Sequence, residues 1–259
     1  MTERHLEGRH AIVTGGGRGI GFAIAESLAA RGASLTLLGR SVAHLEDAAA
    51  RLERHGQPVL VSGCDVADDR SVAAAFALSR RRFPAPYILV NNAGQGEVAP
   101  FSELPREAWD RMLAVNLTGT WLCTREVYPA MVEARAGRIV NVASVAGLRG
   151  FPTGTAYSAA KHGVVGLTRS LALEAAKLGI TVNAVCPGYT DTDMAARAVA
   201  NVARARSLGL EEAKQVIART LPLGRLVQPG EVAETVAWLC SDGAAAVNGQ
   251  AIAIAGGDT

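Results

Sequence analysis

Short apolar runs alternate with longer helical patterns along almost the whole chain of 259 residues. These runs are continuously apolar, which is typical of strands that are buried on both faces of a sheet. Strands that alternate with helices form a parallel sheet with helices on both sides. The sequence therefore predicts an α/β fold with one doubly wound parallel sheet of about seven strands, formed by HAIVTG, SLTLLG, PVLVSG, YILVNN, GRIVNVAS, ITVNAVCP and GQAIAIAGG.

The helical patterns lie between these runs, at about 19–32, 41–56, 68–83, 105–135, 155–178 and 229–243. The stretch 188–220 is less regular and is predicted to form two further helices. Because no linker, low-complexity segment or short repeat interrupts the alternation, the sequence predicts a single domain, 1–259. Within it we expect 190–222 to form a small helical lid over the substrate.

Composition and charge exclude several classes of protein. The formal net charge is +2, which is too small to indicate binding to nucleic acid or to an anionic membrane. The first ten residues are polar, unlike a signal peptide, and no apolar run is long enough to span a bilayer. The four cysteines are far apart in sequence, which argues against a disulfide framework or a metal site. We therefore expect a soluble protein of the reducing cytoplasm.

A glycine-rich turn follows the first apolar run. The sequence TGGGRGIG spans Thr14–Gly21 and leads directly into a helical pattern. Gly15, Gly19 and Gly21 lack Cβ atoms where the backbone must turn tightly and approach a ligand. The helix N-terminus then offers free N–H groups and its positive dipole end to a pyrophosphate. Because the turn joins the first strand to the first helix, it favours dinucleotide binding over a plain loop.

Residues after the second and third strands indicate which dinucleotide binds. An NAD site needs an acid at the end of the second strand, but Gly39 stands there and Arg40 follows. A guanidinium can instead grip the 2′-phosphate of NADP, and Arg18 in the glycine turn is a second cation. The alternative is that both arginines are solvated surface residues. Asp65, after the third strand, is placed either to accept from the adenine amino group or to cap a turn.

Tyr157 and Lys161 are four residues apart in YSAAKHG, within a helical pattern. This spacing is one helical turn, so both side chains lie on one face. A tyrosine has an ordinary pKa near 10, and a nearby cation favours its phenolate. Taken alone, the pair is more often structural than catalytic, so the rest of the chain must decide.

The ordered set of motifs resembles the classical short-chain dehydrogenases/reductases. These motifs are TGGGRGIG, NNAG from Asn91, AVNLTG around Asn116, VNVASVAG around Ser144, YSAAK, and PGYTDTDM from Pro187. The resemblance covers 8–257 and implies a Rossmann-type doubly wound sheet. It is closest to 3-oxoacyl reductases and to ketoreductases of aromatic polyketide synthesis, although the loop NNAGQGEVAPFSEL lacks the PGG sequence of the polyketide enzymes.

The resemblance implies a catalytic role for each of four residues. Tyr157 is the general acid, Lys161 assists it and holds the nicotinamide ribose, Ser144 donates a hydrogen bond to the substrate oxygen, and Asn116 positions a water that connects Lys161 to solvent. By the same resemblance, the residues that bind NADP(H) are Gly15, Arg18, Gly19, Ile20, Gly21, Arg40, Asp65, Val66, Asn92, Ala93, Gly94, Tyr157, Lys161, Pro187, Gly188, Thr190 and Thr192. Alternatively, NNAG is a stabilising turn and the segment from Pro187 a Pro-Gly turn capped by threonines.

Three functional hypotheses follow. The leading one is an NADP(H)-dependent oxidoreductase that reduces a 3-oxoacyl thioester or a similar ketone to a secondary alcohol. The second is an alcohol dehydrogenase that oxidises a hydroxyacyl-CoA, a cyclic alcohol or a sugar-like alcohol. The third, from another class, is an inactive dinucleotide-binding sensor or scaffold, against which the complete set of four candidate catalytic residues argues.

The sequence also suggests partners. The predicted lid carries Arg197, Arg204 and Arg206, which either meet the phosphates of coenzyme A or a phosphopantetheine arm, or form a solvated helix face. Fatty-acid reductases present two basic residues to acyl carrier protein; Arg135 matches one, but Leu178 stands at the other. Members of the family are usually homotetramers, which implies that the two long helices here pair with their copies.

Overall fold

The computed structural model describes residues 4–259. This part of the chain contains seven strands: β1 (His10–Thr14), β2 (Ser34–Gly39), β3 (Val59–Gly63), β4 (Ile88–Asn91), β5 (Gly137–Val142), β6 (Ile180–Pro187) and β7 (Ala251–Ile254). All seven pair in parallel in one sheet, in the order β3-β2-β1-β4-β5-β6-β7. The predicted doubly wound parallel sheet is therefore confirmed, and each predicted run contains one strand.

The helices of the described residues are α1 (Gly19–Ala30), α2 (Val42–Leu52), α3 (Asp69–Arg82), α4 (Arg106–Leu113), α5 (Gly119–Ala134), α6 (Thr155–Ala175), α7 (Asp193–Arg206), α8 (Leu210–Thr220) and α9 (Pro229–Leu239). A π-helical turn, Ala114–Thr118, joins α4 to α5, so the stretch predicted as one long helix is helical throughout but widened in the middle. The irregular stretch after β6 forms two helices, as predicted. Short 3₁₀ turns, one of them Val145–Gly147, occupy some of the connections.

The sheet has an apolar core on each face because neighbouring strand residues point to opposite sides. Ala11 and Val13 of β1 pack with α1, α2 and α9, whereas Ile12 between them packs with α3, α5 and α6. Leu28 of α1 and Val236 of α9 are completely buried on the first face, and Phe76 of α3 is buried on the second. This burial explains why the strands read as continuous apolar runs.

The strand order reverses between β1 and β4, since the chain leaves β1 towards β2 and later returns to β4 on its other side. Loops after two such strands run in opposite directions and leave a crevice at the carboxyl ends of the strands. The loops after β1, β4, β5 and β6 all begin at this edge. The fold therefore brings the predicted site motifs to one side of the sheet.

Other features of the described residues bear on the class of protein. None of the helices in this part of the chain combines the length and the hydropathy that a bilayer span requires. The four cysteines are free, buried thiols. Within residues 4–259, no three His, Cys, Asp or Glu side chains are grouped as metal ligands would be.

Candidate active site

The glycine turn after β1 has the geometry of a ligand cradle. Gly15 and Gly19 have φ angles of +65° and +54°, in the left-handed region that glycine adopts at no steric cost. A Cβ atom on Gly21 would lie 2.2 Å from the Gly15 carbonyl oxygen, so no larger residue fits there without movement. The backbone of the glycine turn thus packs directly against the backbone of the first turn of α1.

The N-terminus of α1 differs from those of the next two helices. Ser41 and Asp68 cap α2 and α3 with side-chain oxygens, whereas Arg18 at the N-cap of α1 makes no such bond. The first turn of α1 also contains no acidic residue. Its N–H groups, on Gly19, Ile20 and Gly21, therefore remain available to an anion, together with the positive end of the helix dipole. The turn fits the pyrophosphate of a dinucleotide.

The two predicted phosphate-binding arginines have different surroundings. Arg40 is exposed directly after β2, beside the N-cap of α2. Arg18 is exposed too, but its guanidinium lies 2.9 Å from the Asp193 carboxylate at the start of α7. A Cβ on Gly19 would lie 3.3 Å from the Thr192 methyl group. The first turn of the predicted lid thus rests on the glycine turn, and Arg18, the second cation of the predicted phosphate site, is paired with Asp193.

Asp65 and Val66 follow β3 at the same edge of the sheet. One carboxylate oxygen of Asp65 accepts from the Ala67 N–H at 3.0 Å, which closes a local turn. Val66 is buried against α5, where a Cβ on Gly119 would lie 2.9 Å from it. The turn-forming alternative for Asp65 is therefore confirmed for one of its oxygens.

Asn92, in the loop after β4, braces the glycine turn. Its amide Nδ2 donates to the carbonyls of Thr14 and Gly15 at 2.9 and 3.2 Å. The Thr14 hydroxyl in turn accepts from the backbone N–H groups of Asn92 and Ala93, both at 2.9 Å. These bonds tie the ends of β1 and β4 together across the crevice. Thr14 is a site residue that the motifs did not single out.

Asn116 lies in the π-helical turn and clamps the loop after β4. Its Oδ1 accepts from the Gln95 N–H at 3.2 Å, and its Nδ2 donates to the Gln95 carbonyl at 3.0 Å and to the Met112 carbonyl at 3.1 Å. These three bonds hold the side-chain amide on the backbone of Gln95 and Met112, and the water-positioning role that the resemblance implies stays a prediction.

Lys161 is buried on α6, with 4% of its surface exposed. Its ammonium donates to the Val142 carbonyl at the end of β5, at 2.8 Å. A Cβ on Gly94 would lie 3.6 Å from this ammonium and 2.8 Å from Asn116 Oδ1, so Gly94 separates the two groups. Burial lowers the pKa of Lys161 to about 8. Lys161 and Asn116 are thus brought together around one glycine.

Tyr157 lies one turn before Lys161, and the ammonium is 5.8 Å from the centre of its ring. The sequence predicts that this cation lowers the pKa of the phenol. Instead, burial is the largest effect and raises the Tyr157 pKa, while the Ser144 hydroxyl acts in the opposite direction. A neutral phenol is a proton donor, so this environment favours an acid over a base.

Ser144 lies two residues after the end of β5 and caps the 3₁₀ turn Val145–Gly147. Its Oγ accepts from the Ala146 N–H at 3.1 Å, which leaves its own O–H free to donate. A Cβ on Gly147 would lie 2.7 Å from the Lys161 carbonyl, so this turn packs directly on α6. That contact holds the Ser144 hydroxyl beside Tyr157.

The segment after β6 completes the edge. Thr190 is buried and donates to the Gly188 carbonyl at 3.0 Å, and Thr192 donates to the Thr190 carbonyl at 3.2 Å. These bonds form the threonine-capped turn that the sequence offered as an alternative for the segment beginning at Pro187. The first turn of α7 also approaches the site from above, because Met194 lies close to Gly96 in the loop after β4.

Cys186 is a further titratable group close to the site, and the motifs did not include it. This thiol is completely buried at the end of β6, and burial raises its pKa. The nearby Lys161 ammonium acts in the opposite direction and lowers that pKa. Only its position beside a proline and glycine could have indicated this, because the sequence reads it as an ordinary core residue.

Comparison with known proteins agrees with this geometry. The family model described as short chain dehydrogenase matches residues 9–203. The chain is 43% identical to a protein of Streptomyces violaceoruber named as ketoacyl reductase 1 of the granaticin polyketide synthase, over 95% of this chain and 92% of that one. It is 42% identical to the cis-4-hydroxycyclohexanecarboxylate dehydrogenase of Sinomonas cyclohexanicum, over 97% and 96%.

A solved structure is equally similar. The crystal structure of a single-residue variant of the actinorhodin polyketide ketoreductase with NADPH superposes with a TM-score of 0.93 at 40% identity, covering 99% of this chain and 98% of that one. The motifs, the sheet order and the crevice thus agree with relatives that span the whole chain. The protein therefore belongs to the short chain dehydrogenase family and is an oxidoreductase that acts on carbonyl or hydroxyl groups with a nicotinamide dinucleotide cofactor.

Proposed function

We propose that the protein is an NADP(H)-dependent reductase that converts a ketone, with a 3-oxoacyl thioester as the first candidate, to a secondary alcohol. One observation carries the proposal: two O–H donors, the Ser144 hydroxyl and the Tyr157 phenol, lie near enough for the first to lower the pKa of the second, and the buried Lys161 lies one helical turn from Tyr157. A carbonyl oxygen that accepts hydrogen bonds from both donors becomes a better acceptor of hydride at its carbon.

The electrostatics of the site support reduction. Because burial raises the Tyr157 pKa, the phenol is protonated at neutral pH and can give its proton to the oxygen as the alcohol forms. Lys161, with a pKa of about 8, remains mostly charged at pH 7 and stabilises the phenolate left behind. When bound, the nicotinamide supplies the hydride. Ser144 orients the substrate oxygen, and Asn116 holds the loop beside Lys161.

The preference for NADP(H) rests on the end of β2. Gly39 supplies no carboxylate, and the exposed Arg40 beside the N-cap of α2 is suited to a 2′-phosphate. The actinorhodin ketoreductase, whose structure contains NADPH, is similar over the whole chain. Arg40→Asp should therefore weaken NADPH binding far more than NADH binding, and an unchanged ratio of the two affinities would show that the phosphate is held elsewhere.

The first experiment compares oxidation of NADPH and of NADH with acetoacetyl-CoA at matched concentrations. We expect turnover with NADPH and little turnover with NADH. Tyr157→Phe removes the proton donor and should abolish turnover while NADPH binding changes little. Sustained turnover by this variant would remove Tyr157 from the mechanism.

A coenzyme A thioester is favoured by the basic lid. Three exposed arginines lie on α7, where they can reach phosphates of a long substrate, namely Arg197, Arg204 and Arg206. Their replacement by alanine should raise KM for acetoacetyl-CoA but not for a short acetoacetyl thioester without the nucleotide. Equal effects on both substrates would remove the argument for phosphate binding. A carrier-protein thioester is tested in the same way, with the loaded carrier protein as a third substrate.

Oxidation of an alcohol is the second candidate, and the likeness to cis-4-hydroxycyclohexanecarboxylate dehydrogenase favours a cyclic substrate for it. Assays with NADP⁺ and NAD⁺ on cyclic and hydroxyacyl-CoA alcohols separate this candidate from the first. Absence of turnover in both directions, with cofactor still bound, would support the sensor or scaffold hypothesis.

We also propose a homotetramer. Large apolar side chains are exposed on the helices expected to pair, with Trp121 on α5 at 46% and Leu173 on α6 at 83%. Light scattering should give four times the chain mass of 26.8 kDa. The mass of a monomer would contradict the assignment.

A further inference from the structure

The π-helical turn that holds Asn116 is fastened by a hydroxyl group one turn further along. Thr120 is buried, with 6% of its surface exposed, and its Oγ1 donates to the Asn116 carbonyl at 2.9 Å. A π turn is wider than an α-helical turn and is frequently found at functional sites. Here the turn places the Asn116 side-chain amide where it bonds to the backbone N–H and carbonyl of Gln95.

The same type of bond recurs one turn later, but it does not reach Asn116. Thr124 Oγ1 donates to the Thr120 carbonyl at 2.7 Å, and it is also buried. The Thr124 hydroxyl accepts from the side-chain amide of Asn91 in β4. The same amide also donates to the side chain of Asn141 in β5. Thr124 therefore belongs to a polar network in the core and provides a natural control for Thr120.

We propose that Thr120 is a positioning residue that acts through Asn116. Its hydroxyl holds the Asn116 carbonyl in the widened turn, which keeps the Asn116 amide on Gln95 and the loop at Gly94 beside Lys161. The bond also occupies one of the two lone pairs of that carbonyl, so only one acceptor position faces any further donor. This inference rests on the proposed function, since it gives Thr120 a part in the same site.

Substitution by valine tests this role, because valine keeps the shape of threonine and lacks the hydroxyl. Thr120→Val should lower kcat about tenfold or more, since small displacements of a catalytic group are costly, while Kd for NADPH stays within about threefold. Thr120→Ser, which restores the hydroxyl, should recover kcat to within about threefold of the native value. Thr124→Val should lower Tm by about as much as Thr120→Val does, but its kcat should stay within about threefold of the native value.

Two results would overturn the proposal: native kcat in Thr120→Val, or an equal fall of kcat in Thr124→Val. If the valine variants do not fold, Thr120→Ala and Thr124→Ala make the same comparison, because alanine also lacks the hydroxyl and favours the helix.

Hydrogen–deuterium exchange separates this inference from the proposed function, since it needs no substrate. The Gln95 N–H is bonded to Asn116, so a peptide covering 93–99 should exchange faster in Thr120→Val than in the native protein or in Thr124→Val. Unchanged exchange in that peptide would refute the positioning role even if the native protein reduces ketones. Faster exchange in a protein that reduces no ketone would leave the positioning role standing and remove the proposed function.

Discussion

Replacement of Lys161 by methionine should stabilise the cofactor-free protein at neutral pH. Lys161 is almost fully buried, and burial lowers its pKa from 10.5 to about 8. At 1.36 kcal/mol per pKa unit, keeping this ammonium charged at pH 7 costs about 3 kcal/mol of unfolding free energy. Methionine removes that cost but leaves the Val142 carbonyl without its donor, at a penalty of about 1–3 kcal/mol. We expect a net gain of about 1 kcal/mol, together with loss of catalysis.

The pH dependence tests the cause of this gain. Between pH 8 and 10.5 the unfolded chain binds the lysine proton more strongly than the folded protein does, so native stability rises with pH in this window. The advantage of Lys161→Met should therefore shrink by about 1 kcal/mol between pH 7 and pH 9. The buried thiols titrate in the same range with the opposite sign, but they are common to both proteins and cancel in the difference. Cys186 is the exception, because its charge is coupled to Lys161.

The assay is urea unfolding followed by tryptophan fluorescence, at one protein concentration, without cofactor, at pH 7 and pH 9. The same pair of proteins is measured again with Cys186→Ala in both, which removes the coupled thiol. In this second pair, the Cys186→Ala protein is compared with the protein that carries both Cys186→Ala and Lys161→Met. If their difference in unfolding free energy is the same at pH 7 and pH 9, burial does not control the proton of Lys161.

Three further predictions concern the surrounding residues. Gly94→Ala should lower kcat because its Cβ would lie 2.8 Å from Asn116 Oδ1; steady-state kinetics with NADPH measure this, and native kcat would contradict it. Gly21→Ala should weaken NADPH binding at least about tenfold in a fluorescence titration, since its Cβ would lie 2.2 Å from a carbonyl of the glycine turn. The control is Gly230→Ala, which also lies in the first turn of a helix. A Cβ there would have nothing within 4 Å, so this variant should bind NADPH normally. Burial lowers the pKa of His10 from 6.5 to about 4, so the protein should lose about 2 kcal/mol of stability relative to His10→Gln as pH falls from 7 to 5, and parallel urea midpoints for the two proteins would contradict this.

Much of the fold could be predicted because the sheet is buried on both faces. Strands such as ITVNAVCP have no polar face, and the helices between them are long enough to cross back, so the parallel order follows from general rules of connection. The site motifs follow the strands, and a parallel sheet places all strand ends at one edge. The assignment of Ser144, Tyr157, Lys161 and Asn116 to one catalytic set, by contrast, came from the resemblance to the family.

The widened turn at Asn116 could not be predicted in this way. The residues from Ala114 to Thr118 have no propensity that separates a π turn from an α-helical turn, and the difference is decided by what the turn packs against. The bonds between Asn116 and Gln95 join a helix to a loop twenty-one residues earlier, through backbone groups that every residue carries.

What the sequence alone determined is therefore the chemistry available: a phenol, a hydroxyl, an amine and an amide at the carboxyl edge of a parallel sheet, beside a glycine turn suited to a dinucleotide. Tertiary structure decided how those groups are tuned. The spacing of Tyr157 and Lys161 suggests a phenol made more acidic by a cation, but burial raises its pKa, and the ammonium is held by the carbonyl of Val142. Arg18 is likewise engaged by Asp193, far along the chain. Desolvation and backbone contacts depend on the packing around a residue, and so neither can be read from residue identity or spacing.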